Sequence, residues 1–441
     1  MKSEKLNGML ALILLVGLLL RLVWIVLTPA LPTSDFYWYN RVALNLAGGS
    51  GFAYNGGYPT AYRPPAYPVF LVIIYILSNG ISPAANSLLA AKLANTFLGV
   101  LTIWLTYCLA ARYFSERTAL LGTAFVALLP SLILYSGLLA SENLVIPLLL
   151  ASLLCADLGW QKGQTVRRSF AWMLAAGFLV GLAALTRGVF LLLPGVWLAW
   201  GWARRRSWRA LPAPAIALVL GTTMALLPWI VRNATVFGRF MPLSTNGGVN
   251  LLISFNPTSR GYYVPVDNIP GYKKLAALGL DEFAMDQATT NLALNFVRNQ
   301  PLRAVALAPL KVFHLYRDDV SGVSWNDSNP QLPLPPWLRI CLIGVTQAYY
   351  MALLFASLAA IVRRDKVIPD SGALFLLLPI LYLTIVHSIY FGSDRYHLPI
   401  LPLLAIMAAG PVSQLLTDTA LRNSRRLSLR IHSSKENVDS A

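Results

Sequence analysis

The chain has 441 residues, of which 56% are hydrophobic and 12% charged, against about 25% charged in soluble domains; this excludes an ordinary water-soluble globular fold. Its formal charge of +17 is spread over short stretches between apolar runs, which argues against a nucleic-acid-binding domain. Cys108, Cys155 and Cys341 lie inside apolar runs without paired or ligand spacing, so neither a disulfide framework nor a zinc site is indicated.

In chain order, the first apolar stretch is 8–28. It is too long for the apolar region of a secretory signal and no small-x-small cleavage site follows it, so it reads as a retained helix. Further stretches follow at 87–111, 118–136, 142–158, 170–186, 189–203, 210–231, 337–361, 371–391 and 398–415. Each is compatible with crossing a hydrocarbon core of about 30 Å, with some tilt or a slightly short core. The predicted fold is therefore an all-α polytopic membrane protein with about ten transmembrane helices. The clusters Lys2/Lys5, Arg112/Arg117, Lys162/Arg167/Arg168, Arg204–Arg206/Arg209, Arg363/Arg364/Lys366 and Arg422/Arg425/Arg426/Arg430 fall in alternate connections. The positive-inside rule then puts both termini in the cytoplasm.

Pro65–Asn79 is apolar but reaches only about 22 Å as a helix, and counting it as a crossing would invert every later basic loop. It is predicted to lie at the membrane interface outside the cytoplasm. The chain thus divides into an N-terminal transmembrane catalytic module (1–231) with a first outer loop (29–86), an extracytoplasmic cap (232–336), C-terminal helices (337–415) and a basic tail (416–441). Within the first loop, Phe36, Tyr39, Ala43 and Leu46 recur at helical spacing, predicting an amphipathic helix over 35–48 that stops at Gly48-Gly49-Ser50-Gly51. Within the cap, 281–299 and 301–317 read as helices, the second opened by Pro301.

Asp35 stands at the start of that interface helix. It is either an N-cap or a general base able to deprotonate a hydroxyl that attacks an anomeric carbon. Glu142, at the outer end of the fourth span, is a second acid near the same surface, or a helix-terminal Glu stabilised by the macrodipole. Arg63, Arg187, Arg232, Arg239, Arg260 and Arg395 face outward, where basic residues are otherwise avoided. Singly, each can snorkel to the interface; as a set they imply an anion, and guanidinium suits phosphate. Arg21 and Lys92 lie nearer the hydrocarbon, which makes them functional or packing candidates. Asn246-Gly247-Gly248 is either a loop turn or a place where backbone N–H groups approach a ligand. His314, His387 and His397 lack metal-ligand spacing; no cofactor is indicated, and a divalent cation is possible without being indicated.

Four stretches in order resemble bacterial family-39-like glycosyltransferases, the GT-C enzymes related to protein O-mannosyltransferases and to the aminoarabinose transferase of lipid A. They are Ser34-Asp35-Phe36-Tyr37 leading into Ala43–Gly51, Tyr62-Arg63-Pro64-Pro65-Ala66-Tyr67-Pro68, Pro228–Asn233 with Ser244–Asn250, and Asp394-Arg395-Tyr396-His397-Leu398-Pro399. Ser141-Glu142 and Leu185-Thr186-Arg187 extend the similarity. The resemblance implies sugar transfer from a polyprenyl-phosphate donor, undecaprenyl or dolichyl, to an extracytoplasmic lipid, glycan or protein, with inversion. It implies Asp35 as the catalytic acid, and donor-phosphate contacts for Arg63, Arg187, Arg232 and Arg395. Many relatives carry a second acid directly after the first; Phe36 stands there, which leaves Glu142 as the partner and weakens a metal-bridged mechanism. A flippase or transporter of lipid-linked sugars would share the helices and arginines without needing the fixed carboxylate, and would more often show broken helices. An O-antigen ligase or polymerase would instead use a diphosphate-linked donor.

Overall fold

A computed structural model describes residues 2–28, 30–55, 57–79, 85–205, 207–328, 333–362 and 370–419. The predicted basic residues Arg206, Arg363, Arg364 and Lys366 and the tail arginines from Arg422 lie outside the described residues. Among these residues the α-helices are, in order, α1 (Lys2–Leu27), α2 (Ser34–Ala47), α3 (Ala66–Asn79), α4 (Ala85–Ala110), α5 (Glu116–Leu128), α6 (Pro130–Ser136), α7 (Glu142–Gly159), α8 (Val166–Thr186), α9 (Leu193–Arg205), α10 (Pro212–Phe237), α11 (Gly247–Ser254), α12 (Tyr272–Ala276), α13 (Glu282–Asn299), α14 (Pro301–Tyr316), α15 (Ser321–Asn326), α16 (Pro336–Val362), α17 (Asp370–Ile389) and α18 (Asp394–Thr419). The last opens as a 3-10 helix over Asp394–Ile400.

Among the described residues, seven helices are long and apolar enough to cross a membrane: α1, α4, α7, α8, α10, α16 and α18. The pair α5–α6, bent by 51° at its break, makes an eighth if it is counted as one span. The remaining predicted spans, 189–203 and 371–391, coincide with the shorter α9 and with the apolar part of α17, Leu374–Ile389. The apolar faces left uncovered, such as Leu12, Leu15, Leu19, Val23 and Val26 on α1, are what a chain solvated by lipid presents. Where α8 meets α10, Gly177, Gly181 and Gly221 lie so close to the facing backbone that a Cβ would overlap it. Small residues allow this approach in a membrane, where apolar burial does not drive helix pairing.

Three buried cations satisfy helix ends. Arg21 donates to Gly17 O at 2.9 Å and to Ala127 O at 3.2 Å, the latter among the last carbonyls of α5 at its break before Pro130. Lys92 donates to Ala30 O at 2.9 Å, just past α1, and Lys311 to Ile389 O at 2.5 Å, the last residue of α17. Carbonyls at a helix C-terminus have no intrahelical donor, and hydrocarbon supplies none. Arg21 and Lys92, candidates for function in the sequence, are committed to this role.

The segments between α10 and α16 pack around a second cluster, in which Val249, Leu252 and Ile253 of α11 meet Ala293 of α13 and Phe391, just after α17. Among these segments α13 and α14 occupy the predicted 281–299 and 301–317. Several hydrogen bonds tie them to the bundle, two sets of which bear on the site. Gly392 N–H donates to Gly261 O at 2.8 Å, and the Glu282 carboxylate accepts from Thr60 Oγ1 and, at 2.9 Å, from Ala61 N–H.

Candidate active site

The N-cap of α2 is Thr33, so Asp35 does not cap the helix. Ser34, directly before it, has φ +50°, and is the one non-glycine residue in the left-handed region among the described residues. Such backbone costs about 1–3 kcal/mol and persists where the surroundings over-determine it. Asp35 Oδ1 pairs with Arg63 Nη2 at 2.6 Å and Oδ2 with Arg395 Nη1 at 2.8 Å. Burial pushes its carboxyl up, but the positive charges of Arg63 and Arg395 outweigh that and hold it at about 2.

Glu142 is fully buried as the first residue of α7. It accepts from Arg395 Nε, from Arg395 Nη2 at 3.2 Å and from Arg187 Nη1. Arg395 therefore grips Glu142 along one edge of its guanidinium and reaches Asp35 with the remaining nitrogen, while lying 5.3 Å over the Phe36 ring. Phe36, where an acid stands in the related motif, thus gives its face to an arginine. Arg187 follows the end of α8 and lies 4.6 Å over the ring of Tyr396. Arg63 is bounded by the rings of Tyr62, Trp38 and Tyr39 at 5.5, 5.8 and 5.9 Å.

Five of the eight predicted site residues are thus brought together: Asp35, Glu142, Arg63, Arg187 and Arg395. Arg232 stands apart from both carboxylates. It donates to Thr60 O at 2.9 Å and Phe52 O at 3.2 Å, and lines a cavity of about 710 Å³ together with Leu46, Phe52, Pro65, Leu144, Leu185 and Trp229. Ser50 and Arg232 are polar members of that lining, and the indole N–H of Trp229 is taken up by Leu243 O at 2.6 Å. Pro65, Leu144 and Leu185 each follow or precede a residue of the five-residue group by two positions, so the cavity adjoins the group. Its outer members Ile73 and Val236 are exposed.

Asn246 and Gly247 do not join the group. Asn246 Oδ1 accepts from Ser244 Oγ at 2.9 Å, and Gly248 N–H donates to Asp286 Oδ1 at 2.6 Å. The segment opens α11 rather than forming a turn, and its glycine is explained by packing: a Cβ on Gly248 would overlap the backbone of α13 at Asp286.

The sequence reading missed Tyr396, which supports Arg187, and Tyr135 of α6, whose buried hydroxyl lacks a hydrogen-bond partner and lies within electrostatic reach of Glu142 and Arg395. It also missed Asp394, which caps the start of α15 by accepting from Val320 N–H at 2.8 Å and Ser321 N–H at 2.6 Å. Aromatic-rich motifs hinted at the tyrosines, but nothing in spacing separated them from ordinary interfacial aromatics. The histidines separate: His397 Nδ1 contacts Leu315 O at 2.6 Å, His387 stacks on Tyr396 and His314 lies against Tyr262.

Among the described residues, no group of three or more His, Cys, Asp or Glu is placed to hold a metal. A divalent cation does not fit the five-residue group, because three guanidiniums against two carboxylates leave it net positive and all four carboxylate oxygens already face a guanidinium.

Fold and site together define an all-α polytopic membrane protein in which three arginines hold two acids. Residues 62–231 match the family described as dolichyl-phosphate-mannose-protein mannosyltransferase. Among solved structures it is similar to the oligosaccharyltransferase of Archaeoglobus fulgidus. For the apo form the TM-score is 0.57 at 16% identity, over 96% of this chain and 52% of that one. For AglB in complex with an inhibitory peptide and a dolichol-phosphate it is 0.56 at 15% identity, over 97% and 52%. ArnT from Cupriavidus metallidurans bound to undecaprenyl phosphate is similar at a TM-score of 0.45 and 16% identity, over 92% and 78%. The chain spans about half the length of the oligosaccharyltransferases it matches. No curated protein sequence matches it. At these identities the likeness concerns the fold.

Proposed function

We propose that the protein is a membrane glycosyltransferase that moves a sugar from a polyprenyl-phosphate carrier to a hydroxyl acceptor outside the cytoplasm. The observation that carries this reading is a charged group of two acids and three arginines adjoining an apolar cavity of about 710 Å³. An isoprenoid phosphate has the same two parts. The chain would lie in the cavity, entering past Ile73 and Val236, and the phosphate would meet the arginines through charge-assisted hydrogen bonds. Dolichol-phosphate in the complex of the fold relative AglB is a ligand of this chemical type.

In the proposed step, the acceptor oxygen bonds to the anomeric carbon and gives its proton to Asp35. The bond from that carbon to the phosphate oxygen breaks with its electron pair leaving on the phosphate, and the configuration inverts. The arginines stabilise the charge that develops on the leaving phosphate, and Glu142 holds Arg395 and Arg187 in place for it. The broken span α5–α6 does not favour a transporter, since Arg21 closes its break and the break does not line the cavity.

Purified protein in lipid nanodiscs should transfer labelled sugar from a polyprenyl-phosphate sugar to an acceptor. Translocation of that lipid without transfer would identify a flippase, and use of diphosphate-linked donor alone a ligase or polymerase. The sidedness is tested by Lys162→Cys and Arg260→Cys with an impermeant thiol reagent on intact cells. Arg260→Cys should label and Lys162→Cys should not.

A further inference from the structure

Asp35 as it stands is a poor base, because each of its oxygens is held by a guanidinium. The charged groups that face it are Arg63 from the first loop, Arg395 from α18 and Arg187 from the end of α8, with Glu142 behind Arg395 and the phenols Tyr62, Tyr263 and Tyr396 around it. The arginines are not held alike. Arg395 uses Nε and Nη2 together on Glu142 and Nη1 on Asp35. Arg187 is fixed between Glu142 and the Tyr396 ring. Arg63 makes one ion pair, through Nη2, and its Nε is buried with no hydrogen-bond partner.

A buried donor without a partner has lost its water and gained nothing in exchange. The edge that Arg395 closes on a carboxylate with two donors is, on Arg63, closed with only one. A phosphate presents oxygens that can accept from both donors of such an edge, so it would satisfy the idle Nε where Asp35 does not. The charge count agrees. Three guanidiniums and two carboxylates leave one positive charge, and a sugar phosphodiester carries one negative charge.

We propose that Arg63 exchanges partners, closing on Asp35 in the empty site and turning to the phosphate of the lipid donor on binding, so that Asp35 becomes a base only in the loaded site. This rests on the donor class inferred above. The exchange orders the reaction, donor before acceptor, and keeps the carboxylate from activating water while no sugar is present. A ligand shifts such an equilibrium only by its differential affinity for the two states, and the idle Nε supplies that difference.

The test is the pH dependence of carbodiimide labelling at Asp35, which reports its protonated form, read by mass spectrometry on the full chain in nanodiscs. Undecaprenyl phosphate should raise the labelling midpoint by about 1 to 3 pH units, the usual effect of losing one adjacent opposite charge. Arg63→Gln should show the raised midpoint without lipid and little further change with it, and Arg63→Lys, which keeps the charge, should restore the low midpoint. If lipid co-elutes with the protein and the wild-type midpoint does not rise, the exchange is wrong while the donor class stands. If no lipid binds, the donor class fails and the exchange with it. If Arg63→Gln leaves the lipid-free midpoint low, Arg63 is not what holds Asp35.

Discussion

The two ends of α7 carry the same parts and use them differently. Glu142 at its start and Asp157 near its finish lie about 22 Å apart along the helix at 1.5 Å per residue, and each is buried and holds two arginines. Asp157 accepts from Arg112 Nε, from Arg204 Nη1 at 2.8 Å and from Tyr113 OH at 2.6 Å. Its position near the negative end of the helix dipole is unfavourable, and three donors compensate it completely. Arg204 also lies 5.7 Å over the Trp200 ring, and Tyr113 packs 5.7 Å from Phe375, so solid aromatic core surrounds the pair. At the other end the dipole favours Glu142. There a second acid, Asp35, is 23% exposed, one arginine nitrogen is idle and an apolar cavity adjoins. The Asp157 cluster leaves no buried donor without a partner, as architecture requires, whereas the Glu142 end leaves Arg63 Nε idle beside a cavity, which is what the proposed ligand site needs.

Four experiments break or sharpen that contrast. The largest effect is expected from Asp35→Asn. The amide keeps the size and can still accept hydrogen bonds, so the protein should stay folded and bind carrier lipid. Transfer should nevertheless fall by about a hundredfold or more, the usual contribution of a positioned base. Wild-type turnover in that variant would end the assignment. Next, Arg395→Gln removes the arginine shared by both acids and should weaken carrier-lipid binding by about 1.5–3 kcal/mol, the worth of a charged hydrogen bond; a titration by lipid-dependent thermal shift measures it.

The pH dependence follows from Asp35. Its folded value of about 2 is depressed from 3.8, so its stabilisation is fully present above about pH 4 and is lost as pH falls through about 2. The amount is on the order of 2 kcal/mol. Unfolding measured across that window should show wild type losing more stability than Asp35→Asn by about that amount. The smallest effect on function is expected from Asp157→Asn. It should cost about 1.5 kcal/mol of stability, at the low end for a charged hydrogen bond because Arg112 and Arg204 retain access to solvent, and leave transfer per folded molecule unchanged. A defect in transfer at constant fold would show that the Asp157 cluster is also part of the machinery.

The amino-acid sequence determined what depends on local composition. Apolar length placed the spans, because hydrocarbon demands that each crossing satisfy its own backbone. Helical spacing placed α2 within a residue of the predicted 35–48, and charge type marked Asp35, Glu142 and the outward arginines as unusual for their depth. What it could not determine is partnership. Arg63 reaches Asp35 across 28 residues, Arg187 reaches Glu142 across 45, and Arg395 reaches Glu142 and Asp35 across 253 and 360. Arg232, equal to them by motif, turns instead to backbone carbonyls. Arg21 and Lys92 seemed alike in chemistry to the site arginines, yet they close helix ends. Asn246 and Gly247 had the composition of a ligand-facing turn, yet they begin a helix whose glycine is spent on contact with α13. A guanidinium carries the same charge whether it meets a carboxylate, a carbonyl or a phosphate, and only the packing of distant helices decides which acceptor lies within its reach.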